Sequence, residues 1–367
     1  MDSRILKDRV NAIRRALKDK PIDCLLLTKP ANVTYATGFS GDDSWAVITG
    51  RSVYLLTDSR YVEQAESECP NCRIIQRTTP MAQAAGRLLG RLKSVERVAL
   101  ENSTSLAGFE ALKKHVTPRL RTAADIVESL RSIKDSSEIR CVALAAGIAS
   151  RALARTADYF KTGVTENELA GVVDLQIRKL GAVISFETIV AFGANASRPH
   201  HRPGSRRLKN NDTVLIDFGV RYKNYCCDVT RCFVIGRPNR FYEKLYKAVE
   251  EAQAAAIAIV KPGVKIKQID AVARDVINRH GLPLYGHGTG HGLGLEVHEE
   301  PVISERAKGT LKAGMVFTIE PGIYIPGKAG VRLEDDIAVT RTGCRILSRG
   351  CPKEPMFRAF RLGAAGH

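Results

Sequence analysis

Val214-Leu215-Ile216-Asp217-Phe218-Gly219 sets a carboxylate inside an apolar strand pattern, and Cys226-Cys227-Asp228-Val229-Thr230-Arg231 repeats the arrangement a short way on. An isolated carboxylate is expensive to bury, and it survives in such a setting when it is paired or coordinates a metal. The polar stretch Arg221 to Asn224 reads as a hairpin turn between strands at residues 213–220 and 228–235. Two strands joined in this way can place Asp217 and Asp228 on one concave face. By the same alternation Cys226 shares a face with Asp228. A packed thiol is the ordinary reading there, and a thiolate ligand is the alternative.

Further along, His287-Gly288-Thr289-Gly290-His291-Gly292-Leu293-Gly294-Leu295-Glu296-Val297-His298 holds three of the eight histidines. Glycines beside His291 let the backbone approach closely and leave room for a ligand. Two more carboxylates follow in strand-like settings, Thr318-Ile319-Glu320-Pro321-Gly322 and Val331-Arg332-Leu333-Glu334-Asp335-Asp336. Each element has an ordinary explanation when taken singly, an edge-strand acid or a mobile glycine loop. Four carboxylates with one imidazole form a hard donor set, suited to Mn²⁺ or Co²⁺, then Zn²⁺ or Fe²⁺. So many acids would repel one another without cations between them, which argues for two metals.

Outward from this region, Leu6, Val10, Ile13 and Leu17 recur at helical spacing and predict an opening helix over residues 3–19, stopped by Pro21. Strands are expected at 22–27, 73–76 and 97–100, with a hairpin of 46–49 and 53–56. Asp58 is expected to cap a helix containing Tyr61 and Ala65. Strands alternating with helices describe a small α/β domain ending near residue 125. Residues 125–160 are strong helix formers, with Ser136 or Ser137 as caps. Further helices are predicted at 165–180, 242–260 and 266–280, the last stopped by Gly281. Residues 285–347 read as a curved antiparallel sheet.

Hydrophobic residues make up 44% of the 367-residue chain and charged residues 26%, and the formal net charge is +17. The basic residues are spread along the chain, which predicts a solvated basic surface and no specific nucleic-acid partner. No run approaches the roughly 20 apolar residues of a membrane span, and no apolar signal segment opens the chain. Nine cysteines at irregular positions are expected to be reduced thiols in a cytoplasmic protein, with Cys69-Pro70-Asn71-Cys72 an ordinary loop.

In the order Asp217, Asp228, His291, Glu320, Glu334 the sequence resembles the pita-bread metallopeptidases, the group of methionine aminopeptidase, aminopeptidase P and prolidase, over roughly residues 130–345. Tyr35-Ala36-Thr37-Gly38-Phe39-Ser40-Gly41 and Leu56-Thr57-Asp58-Ser59-Arg60-Tyr61 resemble the creatinase-type N-terminal domain of prolidase and aminopeptidase P, although the second stretch also reads as a capped strand-to-helix turn. The resemblance implies an α/β creatinase-like domain at residues 1–125 and an α+β pita-bread catalytic domain at 126–367. It further implies a homodimeric peptidase that cleaves the Xaa-Pro bond at the N-terminus of proline-containing peptides.

By the same resemblance Asp217 holds one metal, His291 and Glu320 the other, and Asp228 and Glu334 bridge two divalent ions, Mn²⁺ ahead of Co²⁺ and Zn²⁺. Glu320 would also carry the proton from the attacking water to the leaving proline nitrogen. Phe192-Gly193-Ala194-Asn195-Ala196-Ser197-Arg198-Pro199-His200 is similar to the segment that carries an essential histidine in proline-directed enzymes. His200, in preference to His201, and His298 would then steady the tetrahedral intermediate. His287, Tyr324 and Arg332 match substrate-binding positions, with a structural hydrogen bond as the equal alternative for His287. Cys227 stands where relatives commonly have Ser. Prolidase is favoured over aminopeptidase P by the compact N-terminal domain. A metal-free creatinase-type hydrolase would have replaced the acidic ligands, and a noncatalytic binding module of the same fold would not need them.

Overall fold

Leu6, Val10, Ile13 and Leu17 are the buried stripe of the helix Ser3–Lys18 in the computed structural model, which describes residues 3–18 and 20–355. The chain forms two compact units, the first ending at Arg131 and the second beginning at Ser132.

The first unit is built on a six-stranded sheet in the order Arg73–Gln76, Val53–Thr57, Trp45–Thr49, Cys24–Leu27, Arg97–Glu101, Arg119–Ala123. The strand Cys24–Leu27 is buried along its whole length because both sheet faces are covered. Leu26, Val47, Leu56, Val98 and Leu100 pack with Ala85, Leu88, Leu89 and Leu112 of the helices Met81–Arg91 and Leu106–Lys113. Leu25, Ile48, Leu55 and Ala99, which alternate with them, are equally buried. The unit's last helix, Ile126–Arg131, is tied back by Arg131 Nη1, which donates to Asn32 Oδ1 at 2.6 Å.

Two expected caps are displaced. The helix after residue 58 runs Val62–Glu68, with Tyr61 at its cap position and no side-chain cap bond. The Asp58 carboxylate instead accepts from Arg60 and Arg77, charge-assisted bonds stronger than an ordinary cap. In the second unit the long helix Ser136–Thr156 is capped by Asp135 and not by either serine. Asp135 accepts from the amides of Ser137 and Glu138, while Glu138 reaches back to the Asp135 amide.

The second unit has two helix pairs. Ser136–Thr156 and Glu166–Lys179 share one apolar core with the three-stranded sheet Val229–Val234, Thr213–Phe218, Ile189–Phe192. Arg240–Ala258 and Ile266–Arg279, the latter closed by Gly281 at φ 64°, share the other core with residues of the five-stranded sheet. That sheet runs Glu299–Ile303, Gly290–Gly292, Val316–Ile319, Asp335–Val339, Cys344–Ile346. A separate hairpin pairs Gly322–Ile325 with Ala329–Arg332.

The hairpin that carries Asp217 and Asp228 is more broken than its pattern predicts. Thr213–Phe218 pairs with Val229–Val234 so that Asp217 stands opposite Thr230. The tip is a distinct pair, Val220–Tyr222 with Tyr225–Cys226, turning at Lys223 and Asn224, both at positive φ. It joins another sheet, against Val183–Ile184, so the long strands must break at Gly219 and at Cys227-Asp228. Among the described residues, no helix is long and apolar enough to cross a membrane.

Candidate metal centre

The sheets of the second unit bring their chemistry to one cavity of about 360 Å³. Asp217, Asp228, His291, Glu320 and Glu334 all line it, with His200, His287, His298 and Arg332. Several of these side chains sit where a strand stops. Asp228 precedes Val229–Val234, Glu320 follows Val316–Ile319, and Glu334 falls between Ala329–Arg332 and Asp335–Val339. At such ends a side chain is no longer committed to a sheet face and can turn toward the hollow. His291 lies within the short strand Gly290–Gly292, where side chains at the flanking glycines would collide with the carbonyl oxygens of Thr318 and Glu300.

Asp228, His291 and Glu334 each offer an atom within 4.8 Å of the others. His291 Nε2 lies 3.6 Å from Asp228 Oδ2 and 3.5 Å from Glu320 Oε1. These separations are long for hydrogen bonds. They suit donors around one cation, because ligand atoms about 2.1 Å from a shared ion stand roughly 3–4 Å apart. Asp217 Oδ1 and Asp228 Oδ1 are buried and find no hydrogen-bond partner among the described residues. Orphaned buried carboxylate oxygens beside an imidazole are a donor set short of a cation, so the residues fit a divalent metal.

The electrostatics agree. Burial first, and then the charges of Glu334, Asp217 and Glu320, push the Asp228 carboxyl well above the usual range. Glu334 is raised in the same way by burial and by Glu320 and Asp217. Glu320 is pushed up to about 7, burial and Asp217 outweighing Arg332. Burial, helped by His298, lowers His291 to about 4, which keeps its ring neutral and able to donate a lone pair.

The surrounding hydrogen bonds fix these groups. Arg332 Nη2 donates to Asp217 Oδ2 at 2.6 Å, Nε to Thr230 Oγ1 at 3.0 Å and Nη1 to Tyr324 Oη at 2.8 Å. Thr230 Oγ1 donates to Glu334 Oε2 at 2.6 Å, so Arg332 braces two of the acids. Tyr324 is not among the cavity-lining residues. It touches two that are, bonding His287 Nε2 at 3.0 Å as well as Arg332. His287 is also bonded through Nδ1 to the Gly288 carbonyl, the structural bond weighed for it above. The His298 ring lies 4.3 Å from that of His291. His201 turns away into Glu166. Cys226 is buried, does not line the cavity, and has its thiol raised to about 11 by burial.

Sequence reasoning passed over Thr230, the apolar wall of Phe186, Ile189, Val297 and Val302, and Asp336, whose carboxylate accepts from the Asp228 amide at 3.3 Å. Thr230 could have been found, since it follows Asp228 by two residues in the strand expected at 228–235.

Residues 140–341 match Metallopeptidase family M24, and residues 9–133 match the Creatinase/Prolidase N-terminal domain. The chain belongs to metallopeptidase family M24, and it carries the creatinase-type domain in front of the pita-bread catalytic domain. An uncharacterized peptidase of Bacillus subtilis is 38% identical, with 94% of this chain and 99% of that protein aligned. Among solved structures, an Xaa-Pro dipeptidase from Bacillus anthracis is 34% identical, with a TM-score of 0.91 over 96% of this chain and 99% of the other. An X-Pro aminopeptidase from Thermotoga maritima is 35% identical, with a TM-score of 0.84 over 91% and 97%.

Proposed function

We propose that the protein hydrolyses the bond between a first residue and a following proline, and that it acts on Xaa-Pro dipeptides in preference to longer peptides. The observation that carries the hydrolytic reading is the convergence of four carboxylates and His291 on one cavity, two of the acids having unpartnered buried oxygens. The proline-directed reading is supported by the likeness to the Bacillus anthracis and Thermotoga maritima enzymes.

Asp217, Asp228, His291, Glu320 and Glu334 would hold two divalent ions, with Mn²⁺ favoured by the oxygen-rich set. Such ions, when bound, lower the pKa of water and polarise the scissile carbonyl. The remaining work falls to the chain itself. Glu320 takes the proton of the attacking water and returns it to the departing proline nitrogen. His200 and His298 donate hydrogen bonds to the tetrahedral intermediate. Arg332 and Tyr324 hold His287 and Asp217 in register, and the apolar wall of Phe186, Val297 and Val302 accepts uncharged parts of the substrate. The family resemblance also supports a cytoplasmic homodimer.

A dipeptidase must recognise the C-terminal carboxylate close to the metals, and a polar clamp there is left unpaired by a longer peptide. Arg332, which lines the cavity and keeps one Nη2 hydrogen beyond its bond to Asp217, is the candidate for such a clamp, whereas both ring nitrogens of His287 are already engaged. With Mn²⁺ supplied, kcat/KM is expected to be far higher for Ala-Pro than for Ala-Pro-Ala. Equal or better cleavage of the tripeptide moves the substrate class to that of an aminopeptidase. Full activity in exhaustively demetallated protein refutes the hydrolytic mechanism.

A further inference from the structure

Glu166 opens the helix Glu166–Lys179 directly after its cap, Thr165, and its side chain is wholly buried. Its carboxylate accepts four hydrogen bonds, all from one later stretch of chain. Oε1 accepts from the Phe192 amide and from Asn195 Nδ2, each at 2.8 Å. Oε2 accepts from His201 Nε2 at 2.8 Å and from the Gly204 amide at 3.1 Å. An ionised carboxylate has about four acceptor sites, so Glu166 has no capacity left for a metal or a substrate. Two main-chain bonds close the arrangement, from the Glu166 amide to the Arg206 carbonyl and from the Asn167 amide to the Gly204 carbonyl, both at 3.1 Å.

Residues 192–206 therefore form an arc about one buried carboxylate. Beyond Phe192, which ends the strand Ile189–Phe192, and a 3₁₀ turn at Gly193–Ser197, the arc has no regular structure, and the bonds to Glu166 stand in for a helix or sheet ladder. His200 lies on this arc between the Asn195 and His201 anchors. The two neighbouring imidazoles go opposite ways, His201 back to Glu166 and His200 to the wall of the cavity. Next to it, the Pro199 carbonyl accepts from Arg332 Nη1 at 3.4 Å, which fastens the cavity side of the arc.

We propose that Glu166 and His201 are positioning residues that hold His200 at the reacting centre; the inference rests on the reading of His200 as a catalytic group. Charge-assisted bonds such as these are the strong ones available to an irregular segment. A displacement of about 1 Å in a catalytic group is enough to cost on the order of 100-fold in rate.

The test uses the full chain loaded with Mn²⁺ and compares Glu166→Gln, His200→Ala and the double variant. Glutamine replaces two acceptor sites with an N–H₂ that faces donors, so the arc loosens. Glu166→Gln is expected to lower kcat by about 10- to 100-fold, with KM and bound manganese nearly unchanged. If the effect passes through His200, the double variant is no slower than His200→Ala. In metal-free protein the His200 ring signals in an NMR spectrum are expected to shift or broaden in Glu166→Gln. Should Glu166→Gln fail to fold, His201→Asn, which disturbs one of the four bonds, is read in the same way. Additive losses in the double variant, or metal loss in proportion to activity, overturn the proposal. A defect in His200→Ala with none in Glu166→Gln overturns the positioning role and leaves the catalytic reading standing, whereas full kcat in His200→Ala overturns both.

Discussion

Stripping the metals should make this protein lose stability as pH rises through neutrality. In the metal-free state Asp228 and Glu334 have carboxyl pKa values well above normal, and Glu320 is raised to about 7. A raised folded-state pKa means that the native form holds protons the unfolded chain has released. The resulting stabilisation is complete below the unfolded value of about 4 and is lost as pH rises through the folded value. His287 and His291, both lowered to about 4 chiefly by burial, have the opposite sign, but their effect is spent between about pH 4 and 6.5. The clean window is therefore from about pH 6.5 to 8, where each proton still held costs about 1.4 kcal/mol per pH unit as alkali is added. Glu320, at about 7, contributes roughly 0.8 kcal/mol across the window and Asp228 and Glu334 add to it, a fall in Tm of at least about 2–3 °C for a unit of this size. The assay is calorimetric unfolding of chelator-treated protein at the two pH values, repeated with Mn²⁺. Manganese should remove the slope, since metal binding releases the protons that these carboxylates hold in its absence. Glu334→Gln should flatten it in the metal-free protein by removing one titrating acid. A metal-free Tm that is level or rises between the two pH values would refute the crowding of acids inferred from the geometry.

Two further outcomes bear on the same site. Asp228→Ala should lose both bound metal and turnover, while His298→Ala keeps its metal and loses about 100-fold in kcat; metal analysis beside steady-state kinetics separates them, and full activity in His298→Ala removes its role. Arg332→Met leaves Asp217 and Thr230 without their buried donor and should destabilise the second unit by about 3–5 kcal/mol, read by urea unfolding; a loss below about 1 kcal/mol would show that Arg332 is not the brace described here.

The parts of the site that could be read from sequence are those whose chemistry conflicts with their neighbours. Asp217 and Asp228 interrupt apolar strands, and His291 stands among glycines, so each announces an unmet need within a few residues of itself. Five strands of the first sheet and the long helices were legible for a related reason, since their periodicity is local, whereas the sixth strand, Arg119–Ala123, was not expected. Strand ends were not, because the breaks at Gly219 and Asp228 arise from pairing with another sheet. Glu166 and Arg231 were illegible for a deeper reason. Thr165-Glu166-Asn167-Glu168 reads as a capping box, and Thr165 and Glu168 do form one, which hides the burial of the residue between them. Arg231, 1% exposed, spends its guanidinium on the carbonyls of Thr230, Glu334 and Cys351 and on the Asp335 carboxylate, partners that lie for the most part more than a hundred residues onward. A buried charge satisfied by distant backbone leaves no trace in its own neighbourhood. The structure separates the two kinds by leftover bonding capacity. Asp217 Oδ1 and Asp228 Oδ1 retain it, whereas Glu166 and Arg231 have none. That difference is the physical reason to place cations beside the first pair and to give the second pair the work of holding the chain around them.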